Sequence, residues 1–438
     1  MNSFTDFGLM PSILKSLKTQ KISKPTEIQS YAIPLLMSGQ SMVGVSETGS
    51  GKTLAYALPV LNLLKSLEDE GKAVTEESKP RALVMVPTRE LGEQVAKVFK
   101  TLTHDTRLRV RPALGGSPLE QARRNTKSPF EILIATPGRL VEMIAREIIN
   151  LRDVRLVVFD EADQMLDQGF LSDTNTIVDA CGKVPQLALF SATVSPKVQD
   201  IMNDLFAKAE VVRSKGSGKV VSSLTTKNLI VEDGKRWPLM EQTLKQKVEG
   251  GTMVFTNTRE QCDNVAAELK KNGYECVVYR GEMDKNERRA NLRAFRDGKI
   301  DLIVATDVAG RGLDIDSVGR VINYHLPKEM DNYLHRAGRT ARAGRRGIVV
   351  NLVTERDRRL IEKLTGQKMP AWERRTMAAE ARAAGVKLPT PARVKKATGP
   401  VVAAPPKRVK VTQERTAPKR FVKFPSKKNK AQRTANKG

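Results

Sequence analysis

Two stretches in the first half of the chain carry residue types suited to handling a phosphate group. Residues 46–53, Ser-Glu-Thr-Gly-Ser-Gly-Lys-Thr, follow the apolar run MVGV (42–45) and precede an Ala/Leu-rich segment, TLAYALPVLNLLK. The glycines let the backbone curl so that N–H groups of Thr48, Gly49, Ser50 and Gly51 face phosphate oxygens at a helix N-terminus. Lys52 is placed to reach the β- and γ-phosphates, and the Thr53 hydroxyl to bind Mg²⁺. Ser46 stands where the strict spacing of this motif wants glycine, and a plain Gly/Ser-rich turn is the competing reading. RLVVFDEADQML (155–166) supplies the complement. An apolar strand ending in Asp160-Glu161 sets Asp160 at its tip, near the phosphate loop if the two strands are neighbours, where a carboxylate holds Mg²⁺ largely through water. Glu161 beside it is a candidate to orient and deprotonate an attacking water.

A third stretch, HRAGRTARAGRRG (335–347), concentrates arginine, and charge alone leaves open whether it is a general basic patch or a set of separate roles. The elements that must position these groups are legible as short Val/Ile-rich runs. In the first half they are MVGV, ALVMVP (82–87), EILIA (131–135), RLVVF (155–159) and QLALF (186–190); in the second, TMVF (252–255), ECVVY (275–279), DLIVA (301–305), RVINY (320–324) and IVVNLV (348–353). Continuous apolarity with helical patterns between the runs indicates parallel α/β units whose strands are covered on both faces. The polar, Gly-containing stretch around 211–223 reads as a linker, giving domains at 1–208 and 220–368 with a linker at 209–219. A short helix is expected over 369–385, and a disordered tail over 386–438.

That tail holds sixteen Lys or Arg against one acid, Glu414, leaving +11 of the formal +26 charge for residues 1–385. A basic body with a more basic tail points to a polyanionic partner, bound partly through counterion release. Cys181, Cys262 and Cys276 form no CxxC pair and read as buried thiols of a reducing compartment. Nothing at the N-terminus has the pattern of a signal peptide, and no run approaches the roughly 18 apolar residues of a membrane span.

With Asp160-Glu161-Ala162-Asp163 in place, the chain resembles the DEAD-box ATP-dependent RNA helicases over about residues 4–353, with the family's motifs in order. The resemblance implies two tandem RecA-like parallel-sheet domains, with ATP and Mg²⁺ as cofactors. In KPTEIQ (24–29), Gln29 would read adenine and Phe4 would cover the base; Lys21-Ile22 replaces the usual Gly-Phe. Ser46-Glu47 replaces the usual Ala-Gln. RNA contacts would come from Pro87, Thr88 and Arg89, from Gly115-Gly116, from Thr136, Pro137, Gly138 and Arg139, and from Arg259 and Thr306 in the second domain. Such residue types address phosphate and ribose without reading base edges.

Ser191 and Thr193 would couple hydrolysis to strand separation through Asp163. Asp314 would take the ribose hydroxyl, and Arg311 would pair across the domains; Gly310 replaces a usual alanine, and Asn-Glu-Arg-Arg at 286–289 replaces the more usual Gln-x-x-Arg pattern, with Asn286 in the glutamine's place. The arginine stretch resembles HRxGRxxR, in which Arg339 and Arg342 reach the γ-phosphate, His335 contacts the Asp163 region and Arg336 helps hold the two domains together. Only Arg345 and Arg346 are left as general charge.

The implied activity is RNA-stimulated ATP hydrolysis that separates short duplexes or remodels RNA–protein complexes. An ATP-gated RNA clamp serving as an assembly platform, with little unwinding, is the alternative; a DNA-directed motor is a third reading. The implied partner is RNA, single-stranded or short duplex, without sequence specificity and without a membrane. The compact layout resembles bacterial, cytoplasmic members that serve ribosome assembly or RNA turnover, with pre-ribosomal particles or the RNA-decay machinery as partners. A nucleolar eukaryotic protein is the alternative.

Overall fold

The computed structural model describes residues 3–47, 49–183, 185–214, 224–232, 234–307, 318–341 and 346–365. Thr48, Gly310, Arg311, Asp314, Arg342, Arg345, residues 215–219 of the expected linker, the expected helix at 369–385 and the basic tail lie outside the described residues. Both sheets belong to one compact unit, Met1–Trp372.

The first sheet contains β1 (Met42–Val45), β2 (Ala82–Met85), β3 (Val110–Ala113), β4 (Ile132–Ala135), β5 (Leu156–Phe159), β6 (Gln186–Ser191) and β7 (Glu210–Arg213). Its strands are parallel in the order β3-β4-β2-β5-β6-β1-β7. The second sheet contains β8 (Leu224–Ile230), β9 (Thr252–Thr256), β10 (Val277–Tyr279), β11 (Leu302–Thr306), β12 (Arg320–Asn323) and β13 (Gly347–Val353), parallel in the order β10-β11-β9-β12-β13-β8. Two tandem α/β parallel-sheet domains are therefore present, as the apolar runs indicate.

Every residue of β1, β2, β4 and β5 is buried, because helices cover both faces of the sheet. Separate apolar clusters fill the two faces of each sheet. Three strands lack a continuous apolar run. These are β3, with Pro112 at the sheet's edge, and the largely exposed β7 and β8. An edge strand has one unpaired side facing water and tolerates charge and proline there. For that reason β7 was hidden inside the stretch read as linker; it pairs with β1, so the first sheet continues through Arg213 rather than ending at 208.

The motif-bearing loops run directly into capped helices. The Thr88 hydroxyl accepts from the Leu91 N–H at the start of Arg89–Thr103, and the Thr258 hydroxyl accepts from the Gln261 N–H at the start of Arg259–Lys271. In the second sheet, Asn323, Asn351 and Asn228 stand at matched register on β12, β13 and β8 and form a ladder of amide hydrogen bonds, 2.8 Å at each step. Asn323 and Asn351 are fully buried. All three cysteines are buried and free. Among the described residues, no helix is long and apolar enough to cross a membrane.

Candidate functional site

In parallel sheets, ligands sit beyond the carboxyl ends of the strands. Strand β6 separates β1 from β5, so the phosphate loop and Asp160 flank the end of β6 and are not on adjacent strands. Ser191, the last residue of β6, joins them: its carbonyl accepts from the Ser46 N–H at 3.0 Å.

Gly49 (φ +81°) and Gly51 (φ +90°) adopt left-handed conformations in the loop, and Gly51 caps the helix Lys52–Asp69. A Cβ on Gly51 would meet Gln29 Nε2 at 2.5 Å. The buried Gln29 is a brace: its amide donates to the Gly51 carbonyl (3.0 Å), and its carbonyl accepts from the Thr26 N–H (2.9 Å). The Lys52 ammonium donates to the carbonyls of Ser46 (2.9 Å) and Glu47 (3.0 Å), so it lies inside the loop where phosphate oxygens would replace those acceptors. The hydroxyls of Ser46 and Ser50 are 2.8 Å apart, which gives the unusual Ser46 a bracing role. Burial raises the Glu47 carboxyl above its ordinary value despite nearby Lys52. Phe4 packs in the core beside Phe7, only 3% exposed, and offers no open ring face.

Asp160 receives a hydrogen bond from the Tyr56 hydroxyl (2.8 Å) and another from the Glu161 N–H (3.0 Å). Burial, then the neighbouring Glu161 charge, pushes its carboxyl up to about 6. Glu161 has φ +50° and ψ +53°, a strained conformation for a residue with a side chain. Its buried Oε2 has no hydrogen-bond partner among the described residues. Tyr56 follows Thr53 by three residues, one helical turn, and that spacing was a usable signal for it.

The Asp163 Oδ2 accepts from the N–H groups of Ala192 (3.2 Å) and Thr193 (3.0 Å) and from the Thr193 hydroxyl (3.0 Å). The same oxygen lies 3.5 Å from Nε2 of His335, on the helix Met330–Ala337 of the second sheet. Burial alone would raise the Asp163 carboxyl; the His335 hydrogen bond and charge, with Lys52 and Ser191, instead hold it well below the usual carboxylate range. One carboxylate thus joins the turn after β5, the end of β6 and the second sheet.

Arg336 departs from its expected role. Its guanidinium bonds Asp307 at 2.5 and 2.7 Å, Asn257 at 2.8 Å, the His325 carbonyl at 2.6 Å and Asn323 at 3.1 Å, and lies over the Phe255 ring. Every one of these partners belongs to the second domain: Phe255 and Asn323 lie on strands, and Asn257, Asp307 and His325 lie just past the ends of β9, β11 and β12. The five donors of an arginine suit it to tie strand ends together inside one domain, at the end of the asparagine ladder, rather than to bridge two. Arg339, two residues past the helix end, is 2% exposed.

Seven of the eleven residues expected to contact RNA line one cleft of about 360 Å³; Thr88, Pro137, Arg259 and Thr306 are not part of its lining. Pro87, Arg89, Gly115, Gly116, Thr136, Gly138 and Arg139 line it from the first sheet, and Arg288 and Arg289 close it from the second. The Thr136 hydroxyl accepts from the Gly115 N–H at 2.9 Å, Arg139 donates to the Ser117 carbonyl, and Pro137 begins the helix Pro137–Ala145. Two ion pairs cross between the sheets here: Arg288 to Glu90 (2.6 Å) and Arg289 to Glu93 (3.2 Å). Asn286 lies at the start of the helix Lys285–Arg296, which carries Arg288 and Arg289, its N–H held by Asp284. Phe170 also lines the cleft, and no motif announces it. Arg259 pairs with Glu282, and Thr306 ends β11, buried.

A phosphate loop, a carboxylate pair one strand away and a second parallel sheet touching the first at the catalytic turn define a nucleoside-triphosphate-driven motor of the two-domain α/β class. Sequence comparison narrows the class. The DEAD/DEAH box helicase family matches residues 26–201, and the helicase conserved C-terminal domain matches residues 235–344. The chain is 35% identical to the DEAD-box ATP-dependent RNA helicase RhpA of Helicobacter pylori, over 80% of this chain and 70% of that protein. It is 34% identical to CshA of Bacillus subtilis, over 86% and 75%. Yeast Dbp5 bound to RNA and ADP BeF3 superposes with a TM-score of 0.74 at 27% identity, over 84% of this chain and 94% of that one. Mss116p bound to ssRNA and AMP-PNP gives 0.72 at 25%, over 83% and 76%. The chain belongs to the DEAD-box ATP-dependent RNA helicases, and it is an enzyme of that ATPase class.

Proposed function

We propose that this protein hydrolyses ATP in response to RNA and uses the cycle to part short RNA duplexes or remodel RNA–protein complexes. The observation that carries the reading is the Asp163 carboxylate, shared by Thr193 at the end of β6 and by His335 of the second sheet. Through it, the state of the catalytic turn and the approach of the domains are one equilibrium.

Lys52 exchanges the Ser46 and Glu47 carbonyls for phosphate oxygens when ATP binds. Gln29 stiffens the loop through Gly51 and has a second amide hydrogen to offer adenine. The unpartnered Oε2 of Glu161 orients and deprotonates the attacking water. Arg339, supplied by the second domain, meets the charge developing on the γ-phosphate, a contribution worth roughly 10³–10⁵ in rate when it comes from a second domain.

The donors near Asp160 fit Mg²⁺: its carboxylate and the Thr53 hydroxyl are hard oxygen ligands, and a cation there relieves the Asp160–Glu161 repulsion that burial sharpens. When bound, the ion supplies charge neutralisation for the phosphates. RNA lying in the cleft touches both domains and favours the same closed arrangement as ATP, so the two bind cooperatively. The physiological setting we propose is cytoplasmic ribosome assembly or RNA turnover.

The test is steady-state ATP turnover with and without single-stranded RNA. RNA stimulates the unaltered protein, whereas Glu161→Gln loses about 10²–10⁴-fold in turnover while still binding ATP. Equal turnover with and without RNA would refute the reading.

A further inference from the structure

The helix Arg89–Thr103 starts in the RNA cleft and leads away from it along one face. Residues 89, 93, 97 and 100 recur at helical spacing on that face, and His104 follows just past the helix end. At the far end lies a groove of about 740 Å³ that none of the motifs accounts for, formed against the helix Pro11–Thr19 and strand β3. Glu93 belongs to the groove's lining, while its two partners, Arg89 (2.8 Å) and Arg289 (3.2 Å), line the cleft, so groove and cleft adjoin at one ion-paired side chain.

The groove's charges are unequally matched. Glu93 is held by those arginines, and Asp105 is held by Lys15 at 2.9 Å. Lys97 and Lys100 are exposed and form no ion pair among the described residues. Between them, Ala96 and Pro112 provide an apolar floor against which a ribose or base can rest. The free charge is positive, the floor is apolar, and the groove adjoins the RNA cleft.

We infer that this groove is an outer RNA site, in which the backbone of a strand leaving the cleft is taken by Lys97 and Lys100. The inference rests on the cleft's reading as an RNA site. Ten residues separate Glu90 from Lys100, about 15 Å of helix. A stacked strand advances about 3.4 Å per nucleotide, so a strand of about three nucleotides held in the cleft stops short of Lys100 and a much longer one reaches it. Affinity should grow with RNA length through these two lysines alone, while the chemistry stays with the inner site.

The experiment is RNA binding by the full chain in the presence of a non-hydrolysable ATP analogue, using single-stranded oligonucleotides of about three and about twenty nucleotides. The Lys97→Ala/Lys100→Ala variant should bind the longer RNA about tenfold more weakly, with a salt dependence shallower by about 1.4 in log–log slope, two single-strand phosphate contacts. Its affinity for the short RNA, and its ATP turnover with that RNA, should be unchanged, which also shows that the fold is intact. Lys97→Arg/Lys100→Arg should restore long-RNA binding. Unchanged affinity for the longer RNA, as a groove meant for an acidic protein would give, overturns the proposal; so does an equal loss at both lengths. Failure of the underlying reading has its own signature, RNA of neither length stimulating ATP turnover in the unaltered protein, and that result removes both.

Discussion

Individual side chains in this site are distinguished by what they lack or exceed. Glu161 has a buried oxygen with no partner and a strained backbone, whereas Asp163 is over-satisfied, with three donors on one oxygen and His335 beside it. The first is arranged for chemistry, the second for holding. Arginines divide in the same way: Arg336 spends its donors on its own domain, and Arg339 is the proposed hydrolytic cation. Arg339→Lys should lower maximal ATP turnover about 10²-fold or more while changing RNA affinity little, because lysine cannot reproduce the guanidinium fork. Comparable losses in both, measured by steady-state kinetics and RNA titration, would return the stretch to a general basic patch. Sequence carried the phosphate loop and the carboxylates plainly, since both are fixed by local spacing. It could not carry the Arg336 role, because Asn257, Asp307 and Asn323 meet only when three strands are laid side by side.

At the scale of elements, central strands were legible and edge strands were not. A strand buried on both faces must be apolar throughout, while β3, β7 and β8 answer to solvent on one side and lose the pattern. The asparagine ladder across β12, β13 and β8 was equally hidden, being a register effect. It ends at Arg336, whose neighbour His325 reports on this region. Burial, then the charges of Arg236 and Arg336, lowers the His325 imidazole to about 4. Its folded value lies below the unfolded one of about 6.5, so the unfolded chain binds the extra proton and stability falls as pH drops from about 6.5 to 4. The loss should be about 1–2 kcal/mol, allowing for solvent at the half-buried ring. Thermal unfolding across that pH range should flatten in His325→Gln; an unchanged slope would show that other groups carry it.

For the whole molecule, the contacts between the two domains among the described residues include His335 with Asp163, Asp331 with Thr193, Arg288 with Glu90, and Arg289 with Glu93. In the proposed cycle the first two couple closure to hydrolysis, and the others couple it to the RNA cleft. A double-mutant cycle of Glu90→Ala and Arg288→Ala, read as RNA affinity with an ATP analogue present, should give a coupling energy of about 0.5–1.5 kcal/mol. Additive effects would mean that the pair has no role in closure.

The central claim is that closure around ATP and RNA parts strands, and the most direct measurement is release of a labelled strand from a short RNA duplex on adding ATP. The account predicts release that requires ATP and is slowed in His335→Ala, with a DNA duplex of the same length left paired. RNA-stimulated ATP turnover without any strand release would contradict it and leave an ATP-gated clamp in its place.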